Sequence, residues 1–131
     1  MKYSFPKKEK LKSQLLIKKL FEEGKAVSDF PLKLLYLPST STEEVFIQAG
    51  FSVPKKAFKK AVDRNRIKRL MREAYRLQKV LVFNNLPTPH AFMFLYLGKD
   101  IPDFNLIKEK MERLLKRVLT ETHKNKSHEN V

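Results

Sequence analysis

The chain has 131 residues, 42% of them hydrophobic, no cysteine, and 28 Lys and Arg against 14 Asp and Glu, for a net charge of +14. This length suits one domain with one modest core, and the lack of cysteine excludes a disulfide framework, a thiolate metal site and a cysteine nucleophile. So large a cationic excess implies a polyanionic partner, nucleic acid before an anionic membrane surface, and no apolar run approaches the roughly 18 residues of a membrane span.

Met1 to Lys12 is basic and lacks the continuous apolar segment of a secretory signal, so a cytoplasmic protein is expected. Tyr3, Phe5 and Pro6 among lysines read as an irregular arm. Ser13 is placed to cap a helix from Gln14 to about Glu23, with Gly24 to end it in the left-handed conformation. Leu16, Ile17, Leu20 and Phe21 make one side of that helix apolar. Core explains most of them, while Ile17 and Phe21 stay open as ligand contacts. A short strand near Ala26 to Asp29 and a second from Leu32 to Leu37 follow, then a polar turn from Ser39 to Glu44. Val45, Ile47, Ala49, Phe51 and Val53 alternate with Phe46, Gln48, Gly50 and Ser52, the period of a strand. That strand and Leu32 to Leu37 are expected to pair as an antiparallel hairpin.

Pro54 to Asp63 leads into a helix that Asp63 can cap and that gives out near Phe83, before the loop Asn84, Asn85, Leu86, Pro87, Thr88, Pro89. Within it Ile67, Leu70, Met71, Ala74, Leu77 and Leu81 fall on one stripe at about 100° per residue. Lys68, Arg69, Arg72, Arg76 and Lys79 fall opposite. Glu73 lies at the margin of their arc, so no acid stands among the five cations to neutralise them. Charge runs are usually solvated helix faces. A helix kept merely soluble mixes Glu with Lys, however, whereas an unbalanced Arg-rich face offers planar forks of donors to phosphate. Eleven Lys and Arg against two acids between Phe51 and Lys79, a balance of +9, make this a patch and not a diffuse coating.

Ala91 to Leu97 is an uninterrupted apolar run, with Phe92, Phe94 and Tyr96 on one face and Met93, Leu95 and Leu97 on the other, which predicts a strand covered on both sides. Asp103 opens a last amphipathic helix with Phe104, Ile107, Met111, Leu114, Leu115 and Val118 inward. From Thr122 to Val131 the chain turns polar and disorder is expected. The fold class is therefore an α/β (α+β) two-layer sandwich of order α-β-β-β-α-β-α, one domain over 1–121 with a disordered tail at 122–131.

A protein nuclease needs a metal cluster, a paired acid and base, or a nucleophile set. Glu43 and Glu44, Asp100 and Asp103, and Glu109 and Glu112 have no His partner at ligand spacing. His123 and His128 fall in the tail, and His90 reads as a surface or edge residue. Gly24, Gly50 and Gly98 are too far apart for a phosphate-binding glycine loop. The chain is expected to bind and position, with no catalytic residue and no metal ligand of its own.

Ala61, Val62, Asp63, Arg64, Asn65, Arg66, Ile67, Lys68, Arg69, Leu70, Met71, Arg72, Glu73, Ala74 closely resembles the signature of the bacterial ribonuclease P protein subunit. Gly50, Phe51, Ser52, Val53, Pro54, Lys55, Lys56 resembles that family's Gly-x-Ser-Val-x-Lys-Lys strand, and Leu20, Phe21 and Gly24 its first helix. The resemblance covers about Leu11 to Leu119 and implies a small basic cofactor of a ribozyme, monomeric and in a 1:1 complex with the catalytic RNA. In that family the RNA subunit performs the Mg²⁺-dependent hydrolysis that removes the 5′ leader of precursor tRNA, and no organic cofactor takes part. By resemblance, RNA contacts fall to Lys55, Lys56, Lys59, Lys60, Arg64, Asn65, Arg66, Lys68, Arg69, Arg72, Arg76 and Lys79. The single-stranded leader would lie in a cleft between the first helix and the sheet, lined by Ile17, Phe21 and either Leu35 or Tyr36 according to strand register. Ile17 stands where many members have Phe, and the segment between Lys56 and Ala61 lacks the family's glycine. The family is also an exception to the right-handed rule for strand-helix-strand crossovers, which holds in about 98% of cases, so a left-handed one is implied here. Two other classes remain: a ribosome-associated or DNA-binding module using the same helix in a groove, and a stand-alone protein nuclease, against which the scattered carboxylates argue.

Overall fold

The apolar run at 91–97 takes the place its two-sided hydrophobicity demands, an inner strand of a four-stranded sheet. In the computed structural model, which describes residues 4–39 and 47–129, a turn of 3₁₀ helix at Lys7–Glu9 comes first. It is followed by α1 (Gln14–Glu23), β1 (Lys25–Asp29), β2 (Leu32–Pro38), β3 (Ile47–Ser52), α2 (Ala61–Gln78), α3 (Val80–Phe83), β4 (His90–Tyr96) and α4 (Phe104–Glu129). The sheet order is β1-β2-β4-β3. β1 and β2 form the antiparallel hairpin, Lys25 opposite Tyr36, and β2 pairs antiparallel with β4, Leu34 opposite Phe94. β3 lies parallel to β4, Phe51 opposite Phe94, so β3-α2-β4 is a crossover between adjacent parallel strands.

The expected hairpin of β2 with β3 is thus corrected: β4 lies between them. The reason is burial. Every residue of β4 but Leu95 is buried, and only an inner position covers both edges and both faces of such a strand. The polar turn expected up to Glu44, and Val45 and Phe46, fall from position 40 onward outside the described residues.

Alternation along the strands divides the core between the two faces. Leu32, Leu34 and Tyr36 of β2 and Phe92, Phe94 and Tyr96 of β4 join Ile67, Met71, Ala74 and Tyr75 of α2 and Ile107, Met111, Leu114, Leu115 and Val118 of α4 in the larger cluster. Leu35, Ala91 and Met93 point the other way and meet Leu11 and Leu20, with Leu16, Ile17, Leu37 and Leu95 packed around them. The α/β sandwich thus has α2 and α4 as one layer, while α1 covers part of the opposite face.

Several ends differ from expectation. Ser13 caps α1 as predicted, its hydroxyl accepting from the Leu16 N–H at 3.2 Å. Gly24, however, sits at φ −65° and ψ 149°, ordinary extended backbone. Its N–H bonds the Leu20 carbonyl at 2.9 Å, and a Cβ at this position would fall 2.4 Å from that oxygen. Close approach, not the left-handed region, calls for glycine there. Asp63 lies in the first turn of α2, and the flanking Lys60 makes no side-chain cap. α4 does not stop before the polar tail but continues to Glu129. Its extension past 121 is supported at Thr122, which is buried and whose hydroxyl donates to the Val118 carbonyl at 2.8 Å. His90 is likewise buried, not at the surface.

Candidate nucleic-acid interface

The basic segment is positioned by two buried side chains and one guanidinium. Val53 and Phe58 are buried, with the Phe58 ring 5.9 Å from that of Tyr96. Arg64 Nη1 donates to the carbonyls of Phe58 at 2.7 Å and Lys59 at 3.0 Å, tying the loop to the first turns of α2. Lys55, Lys56, Lys59 and Lys60 stand exposed around this clamp. Arg64 therefore shapes the loop that presents the other cations.

Of the predicted apolar stripe Ile67, Met71 and Ala74 are buried, joined by Tyr75, while Leu70, Leu77 and Leu81 are half-buried; Asn65, Arg66, Arg69 and Arg72 are exposed, with Lys68 half-buried. Among the described residues none of Arg66, Lys68, Arg69 and Arg72 makes a hydrogen bond or an ion pair. The contrast with α4 is instructive. There Arg113 meets Glu109 at 3.0 Å and Lys116 meets Glu112 at 2.9 Å, the self-neutralised pattern of a solvated face. On α2 Glu73, four residues after Arg69, is taken up by Arg76 instead, so those four cations keep no acid partner.

Two members of the expected set do not belong with them. Arg76 is held by Glu73, Nε to Oε2 at 3.0 Å, and that hydrogen bond lowers the Glu73 carboxyl below its ordinary range against the opposing effect of burial. Lys79, at 3% exposure, is removed from the face altogether. Its ammonium lies 2.7 Å from Glu9 Oε1 and also donates to the Ser4 carbonyl. A long ammonium at the inner shoulder of the stripe is buried because an acid from the amino-terminal arm meets it. Glu9 was the partner sequence reasoning missed; the one signal was that it is the sole acid among the first twelve residues.

Of the two alternatives on β2, Leu35 is the one that faces α1. Tyr36 belongs to the larger core beneath α2 and α4, where burial, and less so the charge of Glu121, raises its hydroxyl pKa. Leu35 faces α1 with Met93. Ile17 and Phe21, one helical turn apart on α1, flank that surface, Ile17 half-buried and Phe21 54% exposed. A free aromatic ring beside an apolar sheet face offers unpaired bases something to stack on. Among the described residues no three His, Asp or Glu side chains lie close enough together to hold a metal ion, and no helix is long and apolar enough to cross a membrane.

A four-stranded sheet with a row of unpaired cations on α2 over one face and the apolar side of α1 on the other defines a class, that of small basic α/β sandwich proteins. Residues 5–119 match the family model described as Ribonuclease P. A ribonuclease P protein component of Porphyromonas gingivalis is 34% identical over 119 residues, covering 88% of this chain and 87% of that protein. One of Chlorobium phaeobacteroides is 36% identical over 128 residues, with 88% of each covered. The ribonuclease P protein of Thermotoga maritima superposes with a TM-score of 0.65 at 27% identity, over 83% of this chain and 96% of that one. That of Staphylococcus aureus, at 21% identity, shares the fold with a TM-score of 0.68, over 84% and 94%. The chain belongs to the bacterial ribonuclease P protein component family.

Proposed function

We propose that this chain works as the protein component of ribonuclease P, binding the catalytic RNA through the α2 face and the 5′ leader of precursor tRNA in the groove beside α1. The observation that carries this reading is the set Arg66, Lys68, Arg69 and Arg72, which stand unpaired on a helix whose other face is buried in the core. Phosphate oxygens supply the missing partners, and each contact releases counterions, so affinity falls with salt. Ile17, Phe21 and Leu35 supply apolar surface to splayed leader bases.

The donors on this face are ammonium and guanidinium nitrogens without paired carboxylates, so the chain itself does not fit a resident Mg²⁺. The ion belongs with the RNA, where it supplies the hydrolytic chemistry. The protein's part is electrostatic: its cations lower the repulsion between catalytic RNA and substrate and so reduce the Mg²⁺ needed to bring them together. One protein per RNA suffices for this role.

The test is cleavage of a 5′-labelled precursor tRNA at low Mg²⁺ by a bacterial ribonuclease P RNA, with and without the protein. Cleavage at the mature 5′ end only when both are present is expected. Arg66→Ala and Arg69→Ala should each weaken RNA binding and lower the log–log salt slope by somewhat under one unit, with the melting temperature unchanged. Cleavage by the protein alone, or no stimulation of the RNA, would overturn the proposal.

A further inference from the structure

We infer that the amino-terminal strap, residues 4–12, is a second row of RNA phosphate contacts, laid beside the α2 face and held in place by the buried Lys79–Glu9 pair. The inference rests on the reading of the α2 face as an RNA-binding surface.

Three anchors hold the strap. Phe5 packs edge-on against Tyr75 at 5.8 Å and against Phe51 at 5.9 Å. Lys79 reaches Glu9 and the Ser4 carbonyl from the end of α2. At the free edge of β3, Lys10 pairs in parallel with Ala49, the Leu11 N–H bonds the Ala49 carbonyl at 3.0 Å, and the Gln48 side chain donates to the Lys8 carbonyl at 3.3 Å. Leu11 then enters the cluster under α1. The strap thus runs from α2 across the sheet edge to the groove.

The anchors use backbone, Phe5, Glu9 and Leu11, and leave Lys7, Lys8, Lys10 and Lys12 exposed. Helical geometry places these lysines. Tyr75 and Lys79, which hold the strap, lie about 40° apart around α2, and at about 100° per residue Lys68 and Arg72 fall within about 60° of Tyr75. The strap therefore lies alongside Lys68 and Arg72, two of the unpaired cations. Glu9, the one acid of the strap, is turned inward onto Lys79. Neither of those charges is displayed, and what remains outward is cationic only. A surface of this kind, continuous from α2 to the mouth of the groove, fits a phosphate backbone that passes from the catalytic RNA to the leader.

The decisive measurement is the salt dependence of binding of the full chain to a bacterial ribonuclease P RNA. It would be made for wild type, for Glu9→Gln, and for Lys7→Ala/Lys8→Ala/Lys10→Ala/Lys12→Ala combined, with hydrogen exchange of the Leu11 amide followed beside those of Ile67 and Met71. The four-lysine variant should lower the slope by about 2 to 3 units, and more than the charge-matched control Lys108→Ala/Arg113→Ala/Lys116→Ala/Arg117→Ala on α4. Glu9→Gln should release the Leu11 amide, leave the α2 amides protected and weaken binding, although it raises the net charge by one. Tighter or unchanged binding with Leu11 released would overturn the inference, as would equal losses in the four-lysine variant and its control. Should Glu9→Gln unfold the chain, Lys7→Ala/Lys12→Ala, which leaves the Lys10 ammonium over the Phe5 ring at 6.0 Å, still decides. Failure of wild type to bind the RNA, with Leu11 protected, would overturn the reading of the α2 face itself.

Discussion

Tyr75 is the one described residue whose buried side-chain oxygen has no hydrogen-bond partner. It sits in the middle of the aromatic cluster of Phe5, Phe51 and Phe94, where desolvation, and less so the charge of Glu9, pushes its pKa well above the ordinary phenol value. A buried hydroxyl without a partner costs more than the methine hydrogen that would replace it. Tyr75→Phe is therefore expected to stabilise the protein by about 1 kcal/mol, raising the melting temperature by about 4 °C. A lower melting temperature would show that the hydroxyl is hydrogen-bonded in solution. His90 presents the opposite case, a titratable group that is buried and satisfied. Its Nδ1 lies 2.8 Å from the Thr88 carbonyl, which fixes Nδ1 as the donor, and burial lowers its pKa more than that hydrogen bond restores it. With the folded pKa below the unfolded one, the unfolded chain binds the proton more readily. Stability is thus fully present above about pH 6.5 and is lost as pH falls from there toward the folded pKa. The difference in melting temperature between pH 7.5 and pH 5.5 should shrink in His90→Asn, which keeps a donor but cannot titrate.

At the scale of elements, α1 meets β1 through a contact that only glycine permits. Gly24→Ala would set a methyl group 2.4 Å from the Leu20 carbonyl oxygen, so the last turn of α1 must shift from the hydrogen bond it now makes. Overpacking against backbone typically costs about 2 kcal/mol, which should appear as a lower urea midpoint with little change in slope. Loss confined to RNA affinity, with an unchanged midpoint, would show that the turn can yield freely. The elements that were legible beforehand have strong periodicity of their own. α2 shows its apolar stripe in Ile67, Met71 and Ala74, α4 in Ile107, Met111 and Leu114, and β4 is apolar throughout. Less legible were the junctions. Lys79 marks the break between α2 and α3 and is held by Glu9, a partner that local pattern does not reveal, while α4 runs beyond the expected end through a stretch whose polar composition masks the helix.

For the whole molecule the governing quantity is the +14 charge and its concentration around α2. Self-repulsion among cations that lack acid partners opposes the compact state, and an ion that binds only the folded face stabilises it by mass action. Sulfate or phosphate should raise the melting temperature more than chloride at equal ionic strength. Equal effects of the two salts would mean general screening and no localised anion site. The same charge, together with the Arg64-Asn65-Arg66 signature, made the family recognisable from residues alone, since cations in sequence on one helix remain together in any fold that keeps the helix. The sequence by itself determined the α2 faces, the two-sided burial of β4 and the exposure of Arg66, Arg69 and Arg72, all of which follow from periods of 3.6 and 2 over short spans. Only the tertiary structure decided that β4 separates β2 from β3, that Leu35 and not Tyr36 faces α1, and that Lys79 turns inward. The physical reason is separation along the chain: the acid that neutralises Lys79 stands 70 residues away, and no local pattern encodes a partner at that distance.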